Sequence, residues 1–109
     1  MKKSYNNNPL AQVSRSSIHG RGLFARVDIQ TDELIGEYAG KATQTNGMHV
    51  LWIWNEQTDQ WEGVNGDNEM RFLNHSNQPN AEFYGTELYA LRKIAAGEEI
   101  TFDYQWDED

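Results

Sequence analysis

Apolar positions along the chain come in short runs separated by glycine, asparagine and acidic residues, and strand-length pieces dominate. "LIGEY" (34–38) and "HVLWIW" (49–54) are rich in β-branched and aromatic residues and predict strands. "NEQTDQ" (55–60) predicts the connection of a hairpin returning through Trp61 to Val64. "HGRGLFA" (19–25) is a glycine-punctuated turn leading into apolar residues, and "ELYALRKI" (87–94) and "EITFDY" (99–104) complete the strands. One short helix is predicted within "GDNEMRFL" (66–73), where Asp67 or Asn68 is a candidate N-cap. "IQTDELI" (29–35) echoes "IAAGEEI" (94–100), with Asp32 standing where Gly97 stands. Both residue types tolerate left-handed backbone, so each segment reads as a tight turn followed by a strand. The pattern as a whole predicts one mainly β domain.

Residues 1–9 are polar and end in Pro9, which predicts a tail, and "QWDED" (105–109) reads as a second, acidic one. The domain proper is expected over 10–104. With 38% hydrophobic residues and four Trp, five Tyr and four Phe, the chain is too apolar for a disordered segment. Its formal charge of −8 argues against direct nucleic-acid binding and favours a cationic partner such as a lysine-rich peptide. The sequence contains no cysteine, which excludes disulfides, thiol chemistry and Cys zinc sites. No apolar run matches a signal peptide or a membrane span, so a soluble cytoplasmic or otherwise intracellular protein is expected.

Local chemistry is harder to read. In "EITFDY", strand alternation puts Ile100, Phe102 and Tyr104 on one face, the two aromatics about 7 Å apart. Ordinary core packing would account for such a pair. Gly20 and Gly22 around Arg21 permit close backbone approach to a ligand, but a lone GxG reads more readily as a turn. His75 and Ser76 are adjacent, so their side chains diverge and do not form a nucleophile–base pair. His19, His49 and His75 lie far apart in sequence with no metal-ligand spacing, and no metal is expected.

Taken in order, "GRGLFA", "GEYAG", "RFLNHSNQPN" and "GEEITFDY" resemble the signature stretches of SET-domain protein lysine methyltransferases. The resemblance runs from about Val13 to Tyr104, and the pairing of "NHSxxPN" with "GEEITFDY" is its most specific part. It implies a fold of small curved sheets around a C-terminal pseudoknot, in which the segment near Tyr104 passes through the loop formed around "NHS". That threading violates the usual rule of chain topology and does not follow from pattern alone.

The resemblance also implies roles. The backbone around Gly22, Leu23 and Phe24 would contact S-adenosylmethionine, Asn74 would bond its methionyl end, and the main chain of His75 would read the adenine edge. Arg21 and Arg71, within the same two stretches, are counted with these cofactor-binding residues. Tyr104 would be the catalytic tyrosine, also in contact with cofactor, with Tyr38 as its aromatic companion. Tyr38 and Phe102 would wall the lysine channel, and Phe102 matches the position that tunes the number of methyl groups, here up to di- or trimethyllysine. Trp106 would either cover the channel or pack the C-terminus. The expected substrate is a lysine in a basic, histone-like protein or peptide. Cysteine-rich flanking segments of the family have no counterpart here, and residues 41–66 are short where the family's insert helps bind substrate. A second copy or partner completing the site, as in a homodimer, and a catalytically weak module that binds a basic peptide, are the alternatives this leaves.

Overall fold

The computed structural model describes residues 8–47 and 49–103. Ten strands form three small antiparallel-rich sheets, confirming the mainly β expectation. The first holds β1 (Ala11–Arg15), β2 (Arg21–Ala25), β10 (Glu99–Phe102) and the two-residue β7 (Asn74–His75), in the order β1-β2-β10-β7. The second holds β3 (Leu34–Glu37), β9 (Glu87–Ala90) and β8 (Ala81–Tyr84), in the order β3-β9-β8. The third is β4 (Gly40–Thr43), β6 (Gln60–Gly66) and β5 (Val50–Asn55), with β6 central.

The predicted hairpin is β5–β6, in register from Val50↔Asn65 to Asn55↔Gln60. The predicted helix is a single 3-10 turn, Glu69–Phe72. Asn68 caps it by accepting from the Met70 amide, and the same side chain donates to the Glu37 carbonyl at 2.7 Å, tying the turn to the end of β3. The buried Met70 side chain then anchors the turn in the core with Leu23, Ile29, Leu88, Ile94 and Ile100. Asn8, placed by its sequence in a tail, is buried instead. Its Oδ1 accepts from the Leu10 and Ala11 amides and its Nδ2 donates to the Ile35 carbonyl, so packing already includes this residue.

The internal echo is structural. Asp32 and Gly97 both have positive φ, 67° and 88°, in equivalent turns. The two turns face each other: Ile29 and Ile94 exchange backbone hydrogen bonds at 2.8 Å in an antiparallel bridge. β2 leads into one turn and β3 leaves it, while β9 leads into the other and β10 leaves it. Antiparallel pairing joins β2 to β10 and β3 to β9, so the bridged turns form the corner between two sheets.

From that corner β10 runs into the centre of the first sheet. It pairs antiparallel with β2 (Glu99↔Phe24, Ile100↔Leu23) and parallel with β7 (Thr101↔Asn74, Phe102↔His75). The Ser76 amide donates to the Phe102 carbonyl. Asn80 then closes the loop around the strand: its Nδ2 donates to the Glu99 carbonyl and its Oδ1 accepts from the Thr101 amide, both at 2.8 Å. Residues 74–80 thus line β10 through β7 pairing and the Asn80 amide, while the segment at Tyr104, expected to pass through this loop, lies outside the described residues. Thr101 is buried as well as Ile100, so this strand has no solvent face of the kind simple alternation implies.

Asn80 is 3% exposed. Asn80→Ala would strand the Thr101 amide and the Glu99 carbonyl, and should destabilise the protein by about 2–4 kcal/mol. Urea unfolding measures this; a loss below about 1 kcal/mol, the worth of one ordinary hydrogen bond, would show that the loop is held by other contacts.

Candidate active site

β7 and β10 are adjacent, so Asn74, His75 and Phe102 stand together although 26 residues separate His75 from Thr101. They line one open cavity of about 930 Å³, together with Tyr38 and Arg71. Five of the residues singled out in the sequence therefore share one wall. Arg21, Gly22, Leu23 and Phe24 are not among the lining residues; β2 lies behind the wall, with Leu23 fully buried. Tyr104 and Trp106 lie outside the described residues.

Asn74 occupies the most elaborate environment. Its Nδ2 has four acceptors around it: Glu99 Oε2 at 2.8 Å, the Arg21 carbonyl at 3.1 Å, and the His19 carbonyl and Ser16 Oγ at 3.2 Å. Ser16 Oγ in turn donates to the Glu99 carboxylate, 2.7 and 2.9 Å from its two oxygens. The same hydroxyl accepts from the Ile18 amide, inside the turn that precedes "GRG". One carboxylate thereby links three motifs that are distant in sequence. Gly22 is explained here: a Cβ on it would overlap the Glu99 carboxylate and come within 3.1 Å of Asn74 Nδ2. Its lack of a side chain makes room for Glu99, a different reason from direct approach to a ligand.

An aromatic chain forms the next part of the wall. Phe102 packs edge-on against Phe83 with ring centres 5.1 Å apart, and Phe83 packs edge-on against Tyr38 at 5.9 Å. Tyr38 is buried and its hydroxyl donates to the His49 carbonyl. Trp52 and Trp61 of the β5–β6 hairpin also line the cavity. Strand register places Trp52, Trp54 and Trp61 on one hairpin face, with Trp54 and Trp61 edge-to-face at 5.4 Å and both exposed. Arg21 and Arg71 converge on Phe72, their guanidinium carbons 6.0 and 5.7 Å from its ring centre.

Sequence reasoning missed Ser16, Glu99 and Phe83, and separated three histidines that the fold unites: His19, His49 and His75 all line this cavity. Among the described residues, no three His, Asp or Glu side chains group as a metal site. His75 Nε2 lies 3.1 Å from Asn77 Oδ1 and its Nδ1 lies 3.7 Å from Asp103. His49 donates from Nδ1 to the Arg71 carbonyl at 3.1 Å. Arg71, in the same lining, puts a positive charge at the cavity in a protein of net charge −8.

The mainly β architecture of small sheets agrees with what similarity to known proteins shows. A family model of the SET domain matches residues 20–105. The chain belongs to the SET-domain family. It is 32% identical over 114 residues to human "Histone-lysine N-methyltransferase 2B", covering 86% of this chain and 4% of that protein. It is also 32% identical over 124 residues to "Histone-lysine N-methyltransferase, H3 lysine-4 specific" of Emericella nidulans, covering 90% of this chain and 10% of that protein. Its length is thus a small fraction of either relative. Among solved structures, the methyltransferase domain of human histone-lysine N-methyltransferase SETMAR superposes with a TM-score of 0.74 at 25% identity, covering 86% of this chain and 44% of that one.

The site also predicts a pH dependence. Burial, and then the Arg71 charge, hold His49 below its ordinary pKa of 6.5, against the opposing effect of the hydrogen bond to the Arg71 carbonyl. The unfolded chain therefore takes up this proton at higher pH than the folded one. Stability from His49 is intact above about pH 6.5 and is lost as the pH falls below it. His49→Gln, which cannot titrate, should flatten the fall in unfolding free energy between about pH 7 and 5. An unchanged slope would remove His49 as its source.

Proposed function

We propose that the protein is an S-adenosylmethionine-dependent protein-lysine methyltransferase. The supporting observation is the meeting of Asn74, His75, Phe102 and Tyr38 on one cavity wall in a chain of the SET-domain family. The cavity's size lies at the upper end of the roughly 300–1,000 Å³ usual for ligand pockets, enough for a cofactor end and a lysine end.

The donor set fits the cofactor. Nδ2 of Asn74 is committed to acceptors, so its oxygen is left for a ligand ammonium. Arg71 on the same wall has the charge for a carboxylate, and Arg21 approaches the same Phe72 ring. The main chain of His75 is assigned to the adenine edge, and β2 around Gly22, Leu23 and Phe24 supports these groups from behind. When bound, S-adenosylmethionine supplies a methyl group on a positively charged sulfur.

The other residues prepare the nucleophile. A free lysine amine has a pKa near 10.4 and attacks only when neutral. An apolar aromatic wall disfavours its ammonium form, as would the positive sulfur of the donor. Tyr38, Phe83 and Phe102 confine the lysine stem, with Trp52 and Trp61 also lining the cavity. This wall would hold the neutral amine toward the donor methyl, and the proton of the methylated amine would leave to solvent. Positioning supplies much of such a displacement, and Tyr104 is assigned the task of holding the amine in line. The substrate is a lysine set among basic residues, which the −8 charge attracts.

Calorimetric titration with S-adenosylmethionine tests the cofactor half of this reading. Asn74→Ala should raise the dissociation constant roughly ten- to hundredfold, the worth of a hydrogen bond to a charged group. A folded Asn74→Ala protein with unchanged affinity would remove Asn74 from the site. Turnover of a basic peptide tests the enzyme half, because a module that only binds would take up peptide without methylating it.

Phe102 sets the expected product. A tyrosine there would place a hydroxyl where it bonds the lysine amine and holds a water; phenylalanine leaves space for a methylated amine to rotate into line. The end product should be di- or trimethyllysine, and Phe102→Tyr should shift it to monomethyllysine with little loss of the first transfer. Mass spectrometry of a single-lysine peptide taken to completion decides this, and an unsubstituted protein that stops at one methyl contradicts it.

A further inference from the structure

We infer that Glu99 is a positioning residue that fixes which end of the Asn74 amide faces the ligand, and so makes the cofactor site selective for a primary ammonium. The inference rests on the cofactor reading above. A primary amide has an acceptor oxygen and a donor nitrogen of nearly the same shape, and its neighbours alone decide which points where. Around Asn74 Nδ2, every neighbour is an acceptor. The His19 and Arg21 carbonyls carry no proton. The Ser16 hydroxyl gives its proton to Glu99 and has only lone pairs to offer Asn74. Glu99 Oε2 is the nearest of the four, at 2.8 Å, and the only one with a full negative charge.

A flipped amide would set its oxygen against all four, the charged one closest. The carboxylate thus orients Asn74 with its nitrogen inward and its oxygen toward the cavity it lines. The surroundings serve this contact. Gly22 keeps the carboxylate's place open, and Ser16 holds both carboxylate oxygens while accepting from the Ile18 amide. An acceptor facing the ligand favours an ammonium and gives nothing to an analogue that lacks it.

Glu99→Gln keeps the shape but can turn its own NH2 toward Asn74 Oδ1, which makes the flipped pair tolerable. The unsubstituted protein and this variant are titrated with S-adenosylmethionine and with its analogue lacking the α-amino group. The unsubstituted protein should prefer the amino-bearing cofactor by roughly ten- to hundredfold. In Glu99→Gln that preference should shrink by about tenfold, through weaker binding of S-adenosylmethionine at unchanged affinity for the analogue. A general loosening of the fold would weaken both ligands together. Should Glu99→Gln not fold, Ser16→Ala keeps the charge but frees the carboxylate, and a smaller loss of the same preference is expected.

A preference that survives in the folded variant, or equal weakening of both ligands, overturns the role of Glu99. If Asn74→Ala binds S-adenosylmethionine as well as the unsubstituted protein does, the cofactor reading itself fails, and this inference with it.

Discussion

The rest of the structure depends on the placement of β10 between β2 and the loop 74–80. Every backbone direction of this four-residue strand is used: β2 on one side, β7 on the other, and the Asn80 amide bonding the backbone on either side of Ile100. A parallel pair cannot be closed by a hairpin, so the chain between β7 and β10 must leave the sheet and return. It does so by building β8 and β9, which pack under the bridged turns at Ile29 and Ile94. Two of the second sheet's three strands, β8 and β9, are therefore the crossover of the first. Such non-local pairing costs loop-closure entropy before it returns contact energy.

The same placement makes the site. Glu99 at the start of β10 reaches Ser16 and Asn74, and Phe102 at its end reaches Phe83 and the cavity. One strand therefore carries a polar contact at its start and an aromatic one at its end. Shifting β10 by one residue would exchange its two faces and carry both side chains away from their partners. Electrostatics divide in the same way. The molecule is acidic overall, while Arg71 puts a positive charge in the lining of the cavity.

Strands with β-branched and aromatic runs were legible in the sequence, as in "HVLWIW", and so were the two left-handed turns at Asp32 and Gly97. β1 ("AQVSR") and β4 ("GKAT") were not, because their residues are mixed or polar and tertiary pairing decides their conformation. The two-residue β7 exists only because β10 lies beside it. Threading could not be read from periodicity at all and entered through family resemblance, which also supplied Asn74, His75, Phe102 and Tyr38. Glu99 and Ser16 carried a faint signal: an acidic residue opening an apolar strand, and a serine just before a glycine turn. What joined them to Asn74 are contacts across 25 and 58 residues of sequence, which no local pattern encodes.

The central claim is that a methyl-donor cofactor binds where the "GRG" turn, "NHS" and β10 converge. Amide chemical-shift mapping of the isotope-labelled protein on addition of S-adenosylmethionine tests it most directly. The largest shifts should fall on residues 19–24, on Asn74 and His75, and on Thr101 and Phe102, with the outward faces of β8 and β9 unchanged. Shifts confined to those outer faces, or none at saturating cofactor, would contradict the account.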